Sequence, residues 1–171
     1  MSAPSTCDVC GFRWADVTIE EIPSRLEQAI RSFVQVITSA GLEVARRPSP
    51  TRWSILEYGG HLRDVLISIR ERIITAAILD APTGVAMNRD ERVSLGLYQH
   101  DTPADVAGEL STMTNLFVKT LTSLSAPALL RHLTYSPASP YEVTILWAAA
   151  QAVHEAEHHL DDVKQNVALL A

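Results

Sequence analysis

The sequence predicts an all-α protein, an antiparallel four-helix bundle. Four long segments have apolar residues at helical spacing, three of them open with a Ser or Thr followed three residues later by Glu, and apolar and polar residues rarely alternate. The 171 residues suit one domain with a substantial core. We predict an N-terminal segment over residues 1–17 and the bundle domain over residues 18–171.

The first two helices are predicted from their capping boxes, in which a Ser or Thr and a Glu satisfy each other's free N–H groups. Thr18 and Glu21 form the first box, and that helix is expected to extend to about Glu43. Ser54 and Glu57 form the second box. A proline-containing linker joins these two helices.

The third long helix is predicted to begin at Asp101 or Thr102, with Pro103 in its first turn, and to extend to about Leu124. The polar segment 85–100 before it reads as a loop with a short helix. We expect no strands.

The last helix is predicted to begin at a third capping box, formed by Ser139 and Glu142, with Pro140 at the first helical position. A further short helix is expected within residues 127–137. Four long helices of this kind can build a metal site from side chains on facing helices.

Composition limits the function classes. The net charge is −6 and basic residues are scattered, so a nucleic-acid backbone is not an expected partner. We find no membrane span and no secretory signal, and we therefore expect a cytoplasmic protein.

Histidines provide the main functional signal. His154 and His158 lie four residues apart in the last helix, on one face and at a spacing that suits one ion. His61, two turns into the second helix, is the favoured third ligand, whereas His159 is rotated by about 100° and should point elsewhere. Three such ligands with one open position are typical of catalytic zinc.

An alternative interpretation is a zinc peptidase, because His154-Glu-Ala-Glu-His158 matches the H-E-x-x-H pattern, with Glu155 as general base. Such enzymes take a third ligand from downstream. Only 13 residues follow His158, and they do not contain the expected G-x-x-H continuation. The donors left for this interpretation are Asp161 and Asp162.

Two segments resemble signatures of the DinB-like superfamily. Arg52-Trp-Ser-Ile-Leu-Glu-Tyr-Gly-Gly-His-Leu62 is similar to its W-S-x-x-E-x-x-x-H motif, and His154-Glu-Ala-Glu-His-His-Leu-Asp-Asp-Val163 to its H-x-x-x-H motif. The resemblance implies a four-helix bundle in which His61, His154 and His158 hold zinc, nickel or another divalent ion. The His-His-Leu-x-Asp-Val sequence looks closer to the actinobacterial, mycothiol-using branch than to members with a Gly-Gln after the last ligand.

The resemblance also implies an activity class. Characterised relatives are S-transferases or isomerases that use a low-molecular-weight thiol as cosubstrate with an electrophilic small molecule. A metal-bound thiol is deprotonated, which supplies a nucleophile without a strong base. Glu57 and Asp162 are candidates to orient a ligand or steer substrate, and no further catalytic residue is assigned. A non-catalytic metal-binding or stress-response bundle is the alternative, and a homodimer is left open.

The N-terminal segment contains Cys7-Asp-Val-Cys-Gly-Phe12, with the C-x-x-C spacing of a zinc knuckle or a redox pair. Two cysteines are half of a zinc site. A complete site needs two more ligands, from a distant His or from another chain. Metal binding by Cys7 and Cys10, a reversible disulfide and an unengaged pair all remain open.

Overall fold

The computed structural model describes residues 3–135 and 140–171, and in this part of the chain four long helices form the predicted bundle. Each long helix packs mainly against two of the others: α1 and α2 both contact α4 and α6. The consecutive helices α1 and α2 therefore lie diagonally opposite each other. The elements are α1 Glu21–Ser39, α2 Ile55–Ile78, α3 Arg89–Ser94, α4 Pro103–Thr122, α5 Ala126–Leu129, β1 His132–Tyr135, β2 Tyr141–Thr144 and α6 Ile145–Leu170.

The capping boxes locate the first two long helices, but only the second box forms in full, because α1 begins at Glu21 with Glu20 and not Thr18 at its N-cap position. Ser54 and Glu57 form both reciprocal hydrogen bonds at the start of α2. At the start of α1, the Glu21 carboxylate accepts the backbone N–H of Thr18 at 2.9 Å. The first helix ends at Ser39, before the predicted end, and a 3₁₀ helix follows over Gly41–Ala45.

The third long helix begins as predicted, because the Thr102 hydroxyl accepts the N–H of Asp105 and Pro103 is the first helical residue. The short helix predicted within residues 85–100 is α3. Its preceding residue, Asn88, has φ 49°, a left-handed conformation that Asn tolerates better than most residues.

The prediction for the last helix start is wrong. Glu142 lies in β2, where it faces Thr134 of β1 in an antiparallel pair, and α6 begins only after Thr144, whose hydroxyl accepts the N–H of Trp147 at 3.1 Å. Pro140 precedes β2, and Ser139 lies outside the described residues. The expectation of no strands is also corrected by this hairpin.

The N-terminal segment packs onto the bundle. Phe12, Trp14 and Val17 are buried and belong to the same hydrophobic cluster as the inner faces of the long helices. The Trp14 ring stacks on Trp147 of α6, with ring centroids 5.4 Å apart. Within the described residues, none of the helices has both the length and the apolar character needed to cross a membrane.

Candidate metal centres

His61 lies deep in the bundle because of where α2 begins. The capping box fixes the first turn, with Glu57 N–H donating to Ser54 Oγ at 3.1 Å and Ser54 N–H donating to Glu57 Oε2 at 2.7 Å. The imidazole of His61, in the second turn, is 2% exposed. The Trp53 ring packs against it, with ring centroids 5.1 Å apart.

Glu155 and His159 of α6 converge on His61. They are four residues apart and therefore lie on one side of the helix. Glu155 Oε2 is 3.2 Å from His159 Nε2 and 3.7 Å from His61 Nε2. A tetrahedral ion with bonds of about 2.1 Å separates its ligand atoms by about 3.4 Å. The three donor atoms are therefore spaced to fit one divalent ion.

Two neighbouring side chains orient these donors. Asp162 Oδ2 lies 2.9 Å from His159 Nδ1, so this ring nitrogen donates to the carboxylate and Nε2 faces Glu155. Gln151 Nε2 donates to Glu155 Oε1 at 2.6 Å, which leaves Oε2 for the histidines. Carboxylate and amide partners of this kind fix the ring orientation and raise the basicity of metal ligands.

The electrostatics of the group agree with a cation site. Burial raises the pKa of Glu155, but the neighbouring His159 and His61 hold that pKa well below its ordinary value. Burial lowers the pKa of His61. Burial also lowers the pKa of His159, but Asp162 and Glu155 outweigh this effect and raise it to about 9. The low pKa of Glu155 keeps a negative charge beside the two rings, and this charge attracts a cation.

Several ring nitrogens in this region are buried without a hydrogen-bond partner among the described residues. They include both nitrogens of His61 and Nε2 of His159, which faces Glu155 without hydrogen-bond geometry. A buried polar atom without a partner costs about 1–3 kcal/mol. Coordination of an ion would satisfy one nitrogen of His61 and Nε2 of His159, so the residues fit a divalent metal.

A second group of donors lies at the N-terminal segment. Cys7, Cys10, His154 and His158 each offer one ligand atom, and these four atoms all lie within 4.8 Å of one another. The histidines are on the side of α6 that faces this segment. A disulfide is not formed between the two cysteines.

The structure divides the predicted ligand set between these two groups. His61 lies with Glu155 and His159, whereas His154 and His158 lie with the cysteines. The set His61, His154 and His158 stays a prediction that the geometry does not favour. Glu155 and His159 face His61, and the residue before each of them on α6 points about 100° away. The His159 ring contacts His61, with ring centroids 5.0 Å apart, and it also lies 5.2 Å from the His158 ring.

A sequence signal for His159 was present in the apolar pattern of α6. His159 follows Ala152 and Ala156 and precedes Val163 at helical spacing, and all four are buried. His158 lies off this stripe and is only half-buried. The period of the core face therefore selects His159 as the histidine that faces the interior.

The other candidate residues have defined partners. The Glu57 carboxylate is engaged by the Ser54 N–H and by the Arg47 guanidinium. Asp162 contacts His159 at 2.9 Å and lies 3.7 Å from His158 Nε2. The peptidase interpretation requires Glu155 beside an ion held by His154 and His158, but Glu155 lies in the other group.

A cavity of about 380 Å³ opens beside the first group and is lined by both His61 and Glu155. Arg72 and Arg89 line the same cavity. The Arg72 guanidinium lies 4.5 Å from the centre of the Tyr135 ring, and its Nε is buried without a partner among the described residues. The cavity wall therefore carries positive charge close to the candidate centre.

The fold and these side chains define a helical-bundle protein with a buried histidine–carboxylate cluster at a cavity. A model of the DinB superfamily matches residues 25–163, and the chain belongs to this superfamily. The resemblance seen in the sequence is confirmed. A search of curated protein sequences found no match.

Solved structures share the fold. YfiT from Bacillus subtilis, a probable metal-dependent hydrolase with an unusual four-helix bundle topology, superposes with a TM-score of 0.70 at 20% identity, over 90% of this chain and 83% of YfiT. The mycothiol-dependent maleylpyruvate isomerase superposes with a TM-score of 0.69 at 12% identity, over 88% of this chain. This chain spans 62% of that isomerase. At these identities the similarity shows the fold alone.

Proposed function

We propose that the protein is a metal-dependent enzyme in which His61, Glu155 and His159 hold a zinc or nickel ion, and which transfers or isomerises a small electrophile with the help of a low-molecular-weight thiol. The observation that supports this proposal most strongly is the convergence of the three donor atoms within 4.8 Å of one another beside a cavity. Three protein ligands leave a position for a further ligand, as in catalytic zinc sites.

The protein side chains contribute positioning and charge. Two neutral imidazoles and one carboxylate would leave the bound divalent ion with a net positive charge. An ion held there supplies Lewis acidity, which lowers the pKa of a coordinated thiol or water. Gln151 and Asp162 hold Glu155 and His159 in place through their hydrogen bonds.

The cavity suggests the kind of electrophile. Arg72 Nη2 donates to the Val85 carbonyl at 2.5 Å, which fixes the guanidinium at the cavity wall. A planar guanidinium binds a carboxylate better than an ammonium does. We therefore infer that the electrophile carries an anionic group that Arg72 binds.

Mycothiol is the proposed thiol. Two observations support this choice of thiol: the fold shared with a mycothiol-dependent isomerase and the sequence His158-His159-Leu-x-Asp-Val163 in α6. A second candidate is hydrolysis by a metal-bound water, which the similarity to YfiT favours. Both reactions would use the same three ligands, so the cosubstrate decides between them.

The test is turnover by the purified protein loaded with zinc or nickel. We expect conjugation of an electrophile such as monochlorobimane to mycothiol, loss of this activity on chelation and in His61→Ala, and retention in His132→Ala. His132 is exposed and pairs with Glu142, so it is a matched control. Cleavage of ester or amide substrates without thiol would favour the hydrolase, and inactivity across a panel of thiols and substrates would favour a non-catalytic binding protein.

A further inference from the structure

The N-terminal segment folds into a tight turn around its two cysteines. Gly11 N–H donates to the Cys7 carbonyl at 2.9 Å, and Cys7 N–H donates to the Phe12 carbonyl at 2.8 Å. Gly11 has φ 73°, a conformation that glycine adopts without strain. This turn brings the thiols of Cys7 and Cys10 to the same side.

The turn presents its thiols to α6. His154 and His158 are one helical turn apart, and their ligand atoms lie with the two sulfurs in a group in which all separations are within 4.8 Å. Phe12 and Trp14 pack on the His154 ring, with ring centroids 5.1 and 4.9 Å away. The histidine is therefore held in place by the segment that carries the cysteines.

The imidazoles in this group are incompletely paired within the described part of the chain. Both nitrogens of His154 and Nδ1 of His158 are buried without a hydrogen-bond partner. The other nitrogen of His158, Nε2, lies 3.7 Å from Asp162 Oδ2. Nδ1 is thus the His158 nitrogen left for a ligand, with a carboxylate on the opposite side of the ring.

We propose that Cys7, Cys10, His154 and His158 form a second metal centre, a closed Cys₂His₂ zinc site. Two thiolates and two imidazoles are a usual donor set of structural zinc, and thiolate ligands select zinc over magnesium or calcium. With four protein ligands, this centre has no position for substrate. It is thereby distinct in role from the His61 centre.

A disulfide between the cysteines explains less of the geometry. Formation of a disulfide from two thiols needs an oxidant, and it would leave the His154 nitrogens and His158 Nδ1 without partners. Zinc would satisfy both sulfurs and one ring nitrogen of each histidine.

The proposed zinc ion would hold the N-terminal segment against α6, next to the first centre. Trp14 Nε1 donates to Gln151 Oε1 at 2.7 Å, and Gln151 in turn donates to Glu155 at 2.6 Å. Arg25 of α1 adds a bidentate ion pair with Glu157 and lies over the Phe12 ring. The second centre thus supports the residue that orients Glu155.

Metal content separates the two centres. We expect about two zinc ions per chain in the reduced wild-type protein, and about one in each of Cys7→Ser/Cys10→Ser and His61→Ala. The exposed-histidine variant His132→Ala should keep both. One ion per chain in the wild type that survives replacement of both cysteines would overturn the proposal.

Cobalt substitution gives a readout that does not depend on stoichiometry or activity. The wild type and His61→Ala should both show thiolate-to-cobalt charge-transfer absorption, and Cys10→Ser, which removes one sulfur, should lose about half of it. The thiols of zinc-loaded protein should react with a thiol reagent only after chelation. Absence of the charge-transfer band from reduced, folded wild type, or immediate reaction of both thiols, would refute the site, whatever becomes of the proposed enzymatic function.

Discussion

Asp162 gives the sharpest test of how the His61 centre is held. Its Oδ2 accepts the Nδ1–H of His159 at 2.9 Å, so Asp162→Ala frees the ring to rotate and lowers the basicity of Nε2. Loss of such a partner typically costs a factor of 10–100 in metal affinity. This range corresponds to a loss of about 1.4–2.7 kcal/mol in the free energy of metal binding.

The measurement needs a background with one centre, because Asp162 also lies 3.7 Å from His158 Nε2. In Cys7→Ser/Cys10→Ser protein, competition with a chromophoric chelator gives the zinc affinity before and after Asp162→Ala. Asp161→Ala is the matched control, because Asp161 is the adjacent residue on α6, with a side chain 66% exposed and 3.9 Å from Lys164. If the zinc affinity of Asp162→Ala lies within twofold of that of the control, Asp162 does not orient His159 for metal binding.

Three other predictions concern the fold and the cavity. Ser54→Ala removes the cap of α2 and should lower the free energy of unfolding by about 1 kcal/mol in urea titrations, and an unchanged midpoint would contradict this role. Phe33→Ala empties a fully buried core position and should lower the same quantity by about 3–5 kcal/mol, so a loss below 1 kcal/mol would contradict the packing. Arg72→Lys keeps the positive charge but removes the planar guanidinium, so it should raise KM for an anionic electrophile about tenfold and leave kcat within twofold. An unchanged KM would exclude Arg72 as the anion-binding residue.

Local signals in the sequence predicted most of the helices. The box of Ser54 and Glu57 and the cap at Thr102 depend on contacts three residues apart, so a single window of sequence contains all the information. The same pattern at Ser139 and Glu142 was misleading because Glu142 lies on β2. There its carboxylate is 2.7 Å from His132 Nδ1, across a hairpin whose pairing no local window can show.

The sequence predicted part of the placement of these side chains. His61 was placed correctly at the interior face of α2, and the C-x-x-C spacing marked the cysteines as half of a metal site. The choice of His154 and His158 as ligands followed the H-x-x-x-H pattern and stays a prediction, whereas the apolar period of α6 places His159 at the buried face of the helix. The approach of Cys7 to His154 spans most of the chain and depends on how the N-terminal segment packs, which composition and spacing do not encode.

The most direct test of the central claim is a crystal structure of the zinc-loaded protein with anomalous diffraction data at the zinc edge. We expect one peak bonded to His61, Glu155 and His159 and a second bonded to Cys7, Cys10, His154 and His158. A single peak bonded to His61, His154 and His158, with Glu155 and His159 unligated, would contradict it.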